Sequence, residues 1–329
     1  MKIIIYGTGK NFENYFINTR CLYDFYISHD VSIIGLMDKK FDVDRHVNLL
    51  GADIPVLSEA SAKICEFDYL VVTSTNFYDE IREEQSKWCP ADKIIPINIH
   101  IQQMEKEIFQ LDLVKGLKGL EIGGPTEAFK EYYEALESCD GVNFSEYTVW
   151  WKNDAKGRYY YKNQLLGKTI IADATDLSVI HNDTYDVLLS SNNLEHIANP
   201  IKALKEFDRI LKPGGLMVIF VPRKDLCFDH AREDTTFEHL LDDYNKDIGE
   251  DDISDLDDVI QNYDFEMDPG VKNKEEYIER AKDNYHNRCI HHHVFSCDLL
   301  EKSMHYLGYD IVSVFQYLDN CIIARKPIV

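Results

Sequence analysis

The stretch Leu120-Glu121-Ile122-Gly123-Gly124-Pro125-Thr126 decides the fold, because an apolar strand runs into an acidic residue and then a glycine turn that opens an apparent helix. Glycine at such a turn lets a ligand approach the backbone closely. Alone, a Gly-Gly after a strand is more often a tight connection. The order of the downstream segments strengthens the ligand reading. A second strand ends in an acid, Thr169-Ile170-Ile171-Ala172-Asp173-Ala174, and a third, Tyr185 to Ser191, leads into Asn192-Asn193-Leu194-Glu195-His196. Next comes a helical pattern, Ala203 to Leu211, stopped by Lys212-Pro213-Gly214-Gly215 and feeding the apolar strand Leu216 to Val221.

That ordered set resembles the class I S-adenosylmethionine-dependent methyltransferases, over roughly Leu117 to Pro222 and the C-terminal end. In the tail, Ser296 is placed to cap a helix to about Leu307, Gly308 to end it, and Tyr309 to Phe315 and Asn320 to Arg325 read as two strands. In the family such a hairpin supplies the antiparallel strand that closes a parallel sheet. The expected fold class is α/β, with two Rossmann-like domains, the C-terminal one a class I methyltransferase sheet carrying a long lid insertion.

The resemblance implies S-adenosylmethionine as cofactor. Glu121, Gly123 and Gly124 would lie beneath its methionine and ribose portions, and Asp173 with the backbone of Ala174 at the adenine edge. Ser190, Ser191 and Asn192 would line the methionine side. Read structurally, Asp173 instead caps a turn and Ser190 fills core. The chain departs from the family twice: Pro125 stands where many members keep a third glycine, and the strand Gly141 to Ser145 lacks a terminal carboxylate. Asn143 is left to meet a ribose hydroxyl.

Composition bounds the rest. A chain of 329 residues suits two domains, and 45% hydrophobic content is enough for full cores. No stretch approaches ~20 uninterrupted apolar residues, so no membrane span is expected. The chain starts at once with the strand Lys2 to Tyr6, and its eight cysteines lack Cys-x-x-Cys spacing. A soluble, cytoplasmic protein with reduced thiols is expected. A formal charge of -23 disfavours nucleic acid as a partner. From Glu233 to Asp283 there are nineteen Asp or Glu against five Lys or Arg, which reads as a solvated, partly mobile insert.

Residues 1–100 read as a separate Rossmann-like unit: the strand Lys2 to Tyr6, the turn Gly7-Thr8-Gly9, a helix from Lys10 to about Tyr23, and the strand Val31 to Met37 ending in Asp38. Tyr69 to Thr73 and Ile94 to Ile97 are further strands, with a helix from Asn76 to Trp88 between them. Gly7, Gly9, Lys10 and Asp38 make a candidate second nucleotide site, though the third glycine of that pattern is absent. This unit also resembles, more loosely, domains attached to enzymes of bacterial surface-glycan and nucleotide-sugar metabolism, through Ile4-Ile5-Tyr6-Gly7-Thr8-Gly9 and Ile34-Gly35-Leu36-Met37-Asp38. Residues 101–114 read as a linker, 115–329 as the methyltransferase domain, and 223–295 as its insertion.

Methyl transfer to an alcohol needs a proton acceptor, and histidine suits that role. The insertion offers His230, His239, His286 and the run His291-His292-His293. His293, His291 and His239 are the candidates for the base; if the run is extended, His291 and His293 share a face. A divalent metal held by these histidines with Asp229 or Glu233 is a competing use of the same residues. Trp150-Trp151 and Tyr159-Tyr160-Tyr161 read as packing beneath the lid, or as a stacking surface for a sugar ring or base.

The function expected is methylation of a small molecule or glycan, O-methylation of a sugar in surface polysaccharide biosynthesis being favoured. The alternatives are N- or phosphate-type methylation of a capsule precursor, and an inactive scaffold that binds S-adenosylmethionine or a nucleotide. The acceptor and the oligomeric state are not legible.

Overall fold

The computed structural model describes residues 1–329 except 42, 149–156, 255, 269, 272 and 329, with the backbone alone at Ser28. Trp150 and Trp151 therefore lie outside the described residues. The chain divides into two compact units, Met1–Phe109 and Gln110–Val329.

The first unit is built on six strands: β1 (Lys2–Tyr6), β2 (Ser32–Met37), β3 (Arg45–Leu49), β4 (Ala52–Val56), β5 (Tyr69–Val72) and β6 (Ile94–Pro96). Their order is β3-β4-β2-β1-β5-β6, with only β3 antiparallel to its neighbour. Ile3, Ile4 and Ile5 are fully buried, as a strand covered on both faces requires. The helix expected from Lys10 to Tyr23 is broken. Arg20 takes a φ of 56°, and Thr19 donates its hydroxyl to the Asn14 carbonyl, competing with the helical pattern. The β3–β4 hairpin escaped the sequence reading; it turns at Leu50 and Gly51, both at positive φ. The stretch expected as a linker is largely a helix of this unit, Ile97–Ile108, which buries Ile97, His100, Ile101, Met104 and Ile108.

The second unit contains β7 (Lys118–Ile122), β8 (Ser138–Asn143), β9 (Arg158–Tyr161), β10 (Gln164–Ile171), β11 (Tyr185–Ser191), β12 (Leu211–Pro222), β13 (Asp310–Gln316) and β14 (Asp319–Arg325). The order is β13-β14-β12-β11-β7-β8-β10-β9, in which β12, β11, β7, β8 and β10 are parallel. β14 runs antiparallel to β12 and closes the sheet, as the tail predicts. Ser296 accepts from the Leu299 amide to cap the helix Cys297–Tyr306, and Gly308 comes after it at a φ of 78°. The helix before β12 ends at Ile210, earlier than Pro213-Gly214-Gly215. Those residues instead bulge the start of β12, where the register against β11 jumps from Leu211 to Leu216.

The insertion is better built than its charge suggests. Helices Leu256–Asn262 and Lys274–Ala281 contribute to a core that includes Val259, Tyr263, Tyr277 and Ile290, while the helix Phe237–Lys246 buries Leu240 in the core of the sheet. The solvated insert read from its acidity is thus a folded cap whose acids lie mainly on its outside. Both of its ends are tied to one residue: Asn320, buried in β14, donates to the Pro222 carbonyl at 3.4 Å and the Phe295 carbonyl at 3.0 Å.

Candidate active site

The C-terminal ends of β7, β8, β10, β11 and β12 open onto one cavity of about 510 Å³, the edge at which open α/β sheets take ligands. Gly123 turns the chain there at a φ of 84°, and a Cβ on it would stand 2.5 Å from Asn193 Nδ2. Both conformation and space demand glycine. A Cβ on Gly124 would meet the Glu121 carboxylate at 2.1 Å. Glu121 itself does not line the cavity. It is fully buried behind the turn, accepting from Tyr133 Oη at 2.7 Å and Tyr159 Oη at 2.6 Å, and burial pushes its carboxyl up to about 7. Tyr159 is thereby a packing residue.

Gly123, Asn143, Asp173, Ala174, Ser191 and Asn192 all line the cavity, whereas Ser190 is core. Asn143 donates to the Gly124 carbonyl at 2.9 Å and steadies the turn. Asp173 both faces the cavity and caps a turn: its Oδ1 accepts from the Thr175 amide and hydroxyl at 2.8 Å, its Oδ2 from Arg288 Nη2 at 2.8 Å. Burial works against its charge, but Thr175 and Arg288 outweigh it and hold the carboxyl below its ordinary range. Arg288 also reaches Glu250 at 3.1 Å and lies over the Phe144 ring. Ser191 Oγ and Asn193 Oδ1 are buried with no hydrogen-bond partner among the described residues. A glycine cradle, unspent polar atoms and an acid in one cavity fit the needs of an amino-acid tail and a nucleoside.

The histidine run does not form a strand face; its three rings go three ways. His291 lines the cavity and is buried, with Nδ1 2.5 Å from Asp229 Oδ2. His292 turns to Asn284 and Glu250. His293 is buried off the cavity beside the Ala198 carbonyl, Asp243 and the exposed His239. Only His291 of the three candidate bases reaches the cavity, because the backbone over 290–295 is irregular and does not alternate. Burial disfavours charge on His291, yet Asp229 outweighs it and raises the imidazole above its ordinary value.

Glu195 and His196, on the turn after β11, face His291. His196 Nε2 lies 3.9 Å and His291 Nε2 4.0 Å from Glu195 Oε1. Burial pushes the Glu195 carboxyl up to about 7, and that of Asp319, also in the cavity wall, to about 7. The sequence reading held Leu194-Glu195-His196 as a family mark and missed it as part of the site. Arg288 was missed as well.

In the first unit a separate hollow of about 560 Å³ is lined by Gly7, Gly9, Lys10 and Asp38, among others. Asp38 is spent on the turn itself, its Oδ2 accepting from the Thr8 amide and hydroxyl at 2.8 Å and its Oδ1 from the Lys40 amide at 3.2 Å.

Residues 120–219 match the family model described as a methyltransferase domain, and residues 1–95 one described as C2185-like, N-terminal. A curated relative, the uncharacterized protein MJ1123 of Methanocaldococcus jannaschii, is 29% identical over 150 residues, 46% of this chain and 63% of that protein. The chain thus spans less than two thirds of that relative. Solved structures similar to it include a SAM-dependent methyltransferase from Methanosarcina mazei, at 16% identity and a TM-score of 0.42 over 67% of this chain and 98% of the other. Another from Aquifex aeolicus is 15% identical with a TM-score of 0.36, covering 68% and 89%. The chain thus carries, over residues 120–219, a segment that matches a methyltransferase domain, on a Rossmann-like sheet. Among the described residues no helix is long and apolar enough to cross a membrane.

Proposed function

We propose that the cavity at the strand ends holds S-adenosylmethionine along Gly123, Asn143, Asp173, Ala174, Ser191 and Asn192, and methylates a hydroxyl of a small molecule or glycan. The observation that carries this reading is the positive-φ Gly123 turn opening onto the same cavity as the Asp229–His291 pair. Bound S-adenosylmethionine supplies an electrophilic methyl group. The Gly123 backbone and Asn193 meet its amino-acid end, and Asp173, held by Thr175 and Arg288, meets its nucleoside end. The acceptor lies against Glu195, His196 and His291, where Asp229 orients the His291 ring to take the hydroxyl proton. A sugar is the favoured acceptor, and surface polysaccharide synthesis the favoured setting, on the loose resemblance of the N-terminal unit to glycan enzymes.

Titration calorimetry with S-adenosylhomocysteine tests the cofactor part. Micromolar binding by the wild type, abolished by Gly123→Val, is expected, since a side chain there collides with Asn193. Absence of heat from wild-type protein at millimolar ligand would refute the reading.

A further inference from the structure

Glu195 carries more than an acceptor contact would ask of it. It is 1% exposed, and both carboxylate oxygens lack any hydrogen-bond partner among the described residues. A buried carboxylate left this way is costly unless a cation completes it. The two rings beside it are turned to provide one. His196 Nδ1 sits 3.2 Å from the Ile290 carbonyl, which can only accept, so that nitrogen carries the proton. His291 Nδ1 donates to the Asp229 carboxylate at 2.5 Å. With Nδ1 of each ring engaged in this way, Nε2 is the remaining ligand atom, 3.9 Å from Glu195 Oε1 for His196 and 4.0 Å for His291, and one ligand atom from each of the three side chains lies within 4.8 Å of the others. A carboxylate or a backbone carbonyl on the far nitrogen is the usual support of a metal-bound imidazole.

We propose that Glu195, His196 and His291 bind one divalent transition-metal ion, with Asp229 and the Ile290 carbonyl orienting the two rings. Ligands about 2.1 Å from a common ion stand roughly 3–4 Å apart, so small side-chain rotations close the site. Two imidazoles and one carboxylate favour zinc or manganese over magnesium. The three ligands leave positions open toward the cavity, where an acceptor hydroxyl coordinates and is acidified. Its O–H bond breaks with the proton released to solvent, and the oxygen attacks the methyl carbon as the carbon–sulfur bond breaks and S-adenosylhomocysteine leaves with that electron pair. His291 then acts as a ligand in place of a base; this step rests on the function proposed above, the metal site itself does not.

A second cluster, His239, Asp243 and His293, also brings its ligand atoms within 4.8 Å of one another. It is the weaker candidate: His239 is exposed, and His293 Nε2 lies at the Ala198 carbonyl.

The test is zinc and manganese binding to chelator-stripped, tag-free full-length protein, measured by calorimetry and elemental analysis. One equivalent per chain is expected, weakened at least 100-fold by Glu195→Gln or His196→Asn, 10–100-fold by Asp229→Asn, and unchanged by His239→Ala. Circular dichroism and S-adenosylhomocysteine affinity establish that each variant is folded. No saturable binding by folded wild type, or loss with His239→Ala but not Glu195→Gln, overturns the assignment. If S-adenosylhomocysteine binds while neither metal does, this inference fails and the cofactor reading stands. If metal binds and S-adenosylhomocysteine does not, the reverse holds.

Discussion

Glu121 occupies the acidic position near the end of β7 that the family resemblance assigns to the cofactor floor, yet its carboxylate is sealed behind Gly124 by two tyrosines. Burial lifts its pKa from 4.5 to about 7, so between those values the folded chain keeps a proton that the unfolded chain releases. Its contribution to stability is therefore full below about pH 4.5 and lost as pH rises through 7. A shift of that size corresponds to about 3 kcal/mol. Glu121→Gln is expected to melt higher than wild type at pH 8 and to lose that advantage near pH 4.5; a difference independent of pH would show that the carboxylate is not buried in its charged form. At this scale the sequence was legible where neighbours in the chain make the site. The Gly123 turn and the Ser191-Asn192 corner come directly from their strands. The Arg288–Asp173 and Asp229–His291 pairs did not, because their partners are 115 and 62 residues apart and meet only through the folded cap.

Among the elements, β14 carries the pin that holds the cap, and Asn320 is that pin. Asn320→Ala leaves two carbonyls at the cap's ends without this donor, which costs about 1–3 kcal/mol. Amide exchange over 223–295 is expected to accelerate while β7 and β11 keep their protection; uniform acceleration across the second unit would mean that Asn320 supports the sheet and not the cap. Elements with their own punctuation were legible: the Ser296 cap, the Gly308 stop and both strands of the terminal hairpin. Those without it were not. The helix Ile97–Ile108 looked like a polar linker because its apolar stripe, Ile97, Ile101, Met104 and Ile108, is spaced among polar residues. The cap helices were hidden by their acids, whose number says nothing about the apolar residues between them.

Across the whole molecule, a formal charge of -23 makes self-repulsion a standing term in stability. Salt should relieve it. Raising ionic strength from about 0.01 M to 0.15 M shortens the screening length from ~30 Å to ~8 Å, and the first melting transition is expected to rise by about 2–4 °C for each kcal/mol relieved. A transition that falls with added sodium chloride would show that the surface ion pairs, such as Lys202–Asp247 and Lys246–Asp242, outweigh the repulsion.

The cap leaves and rejoins the sheet at a single doorway, since one asparagine side chain touches both of its ends. A segment with coincident ends is a cassette. Another of different length can be grafted between Pro222 and Phe295 without disturbing the pairing of β12 with β14, because tolerance of an inserted domain depends on how close its ends lie. On the function proposed above, such a graft leaves the Gly123 turn and Asp173 with the sheet, while Arg288, which holds Asp173, changes with the cap. The chimera keeps Glu195 and His196 from the host, while the position of His291 arrives with each new cap.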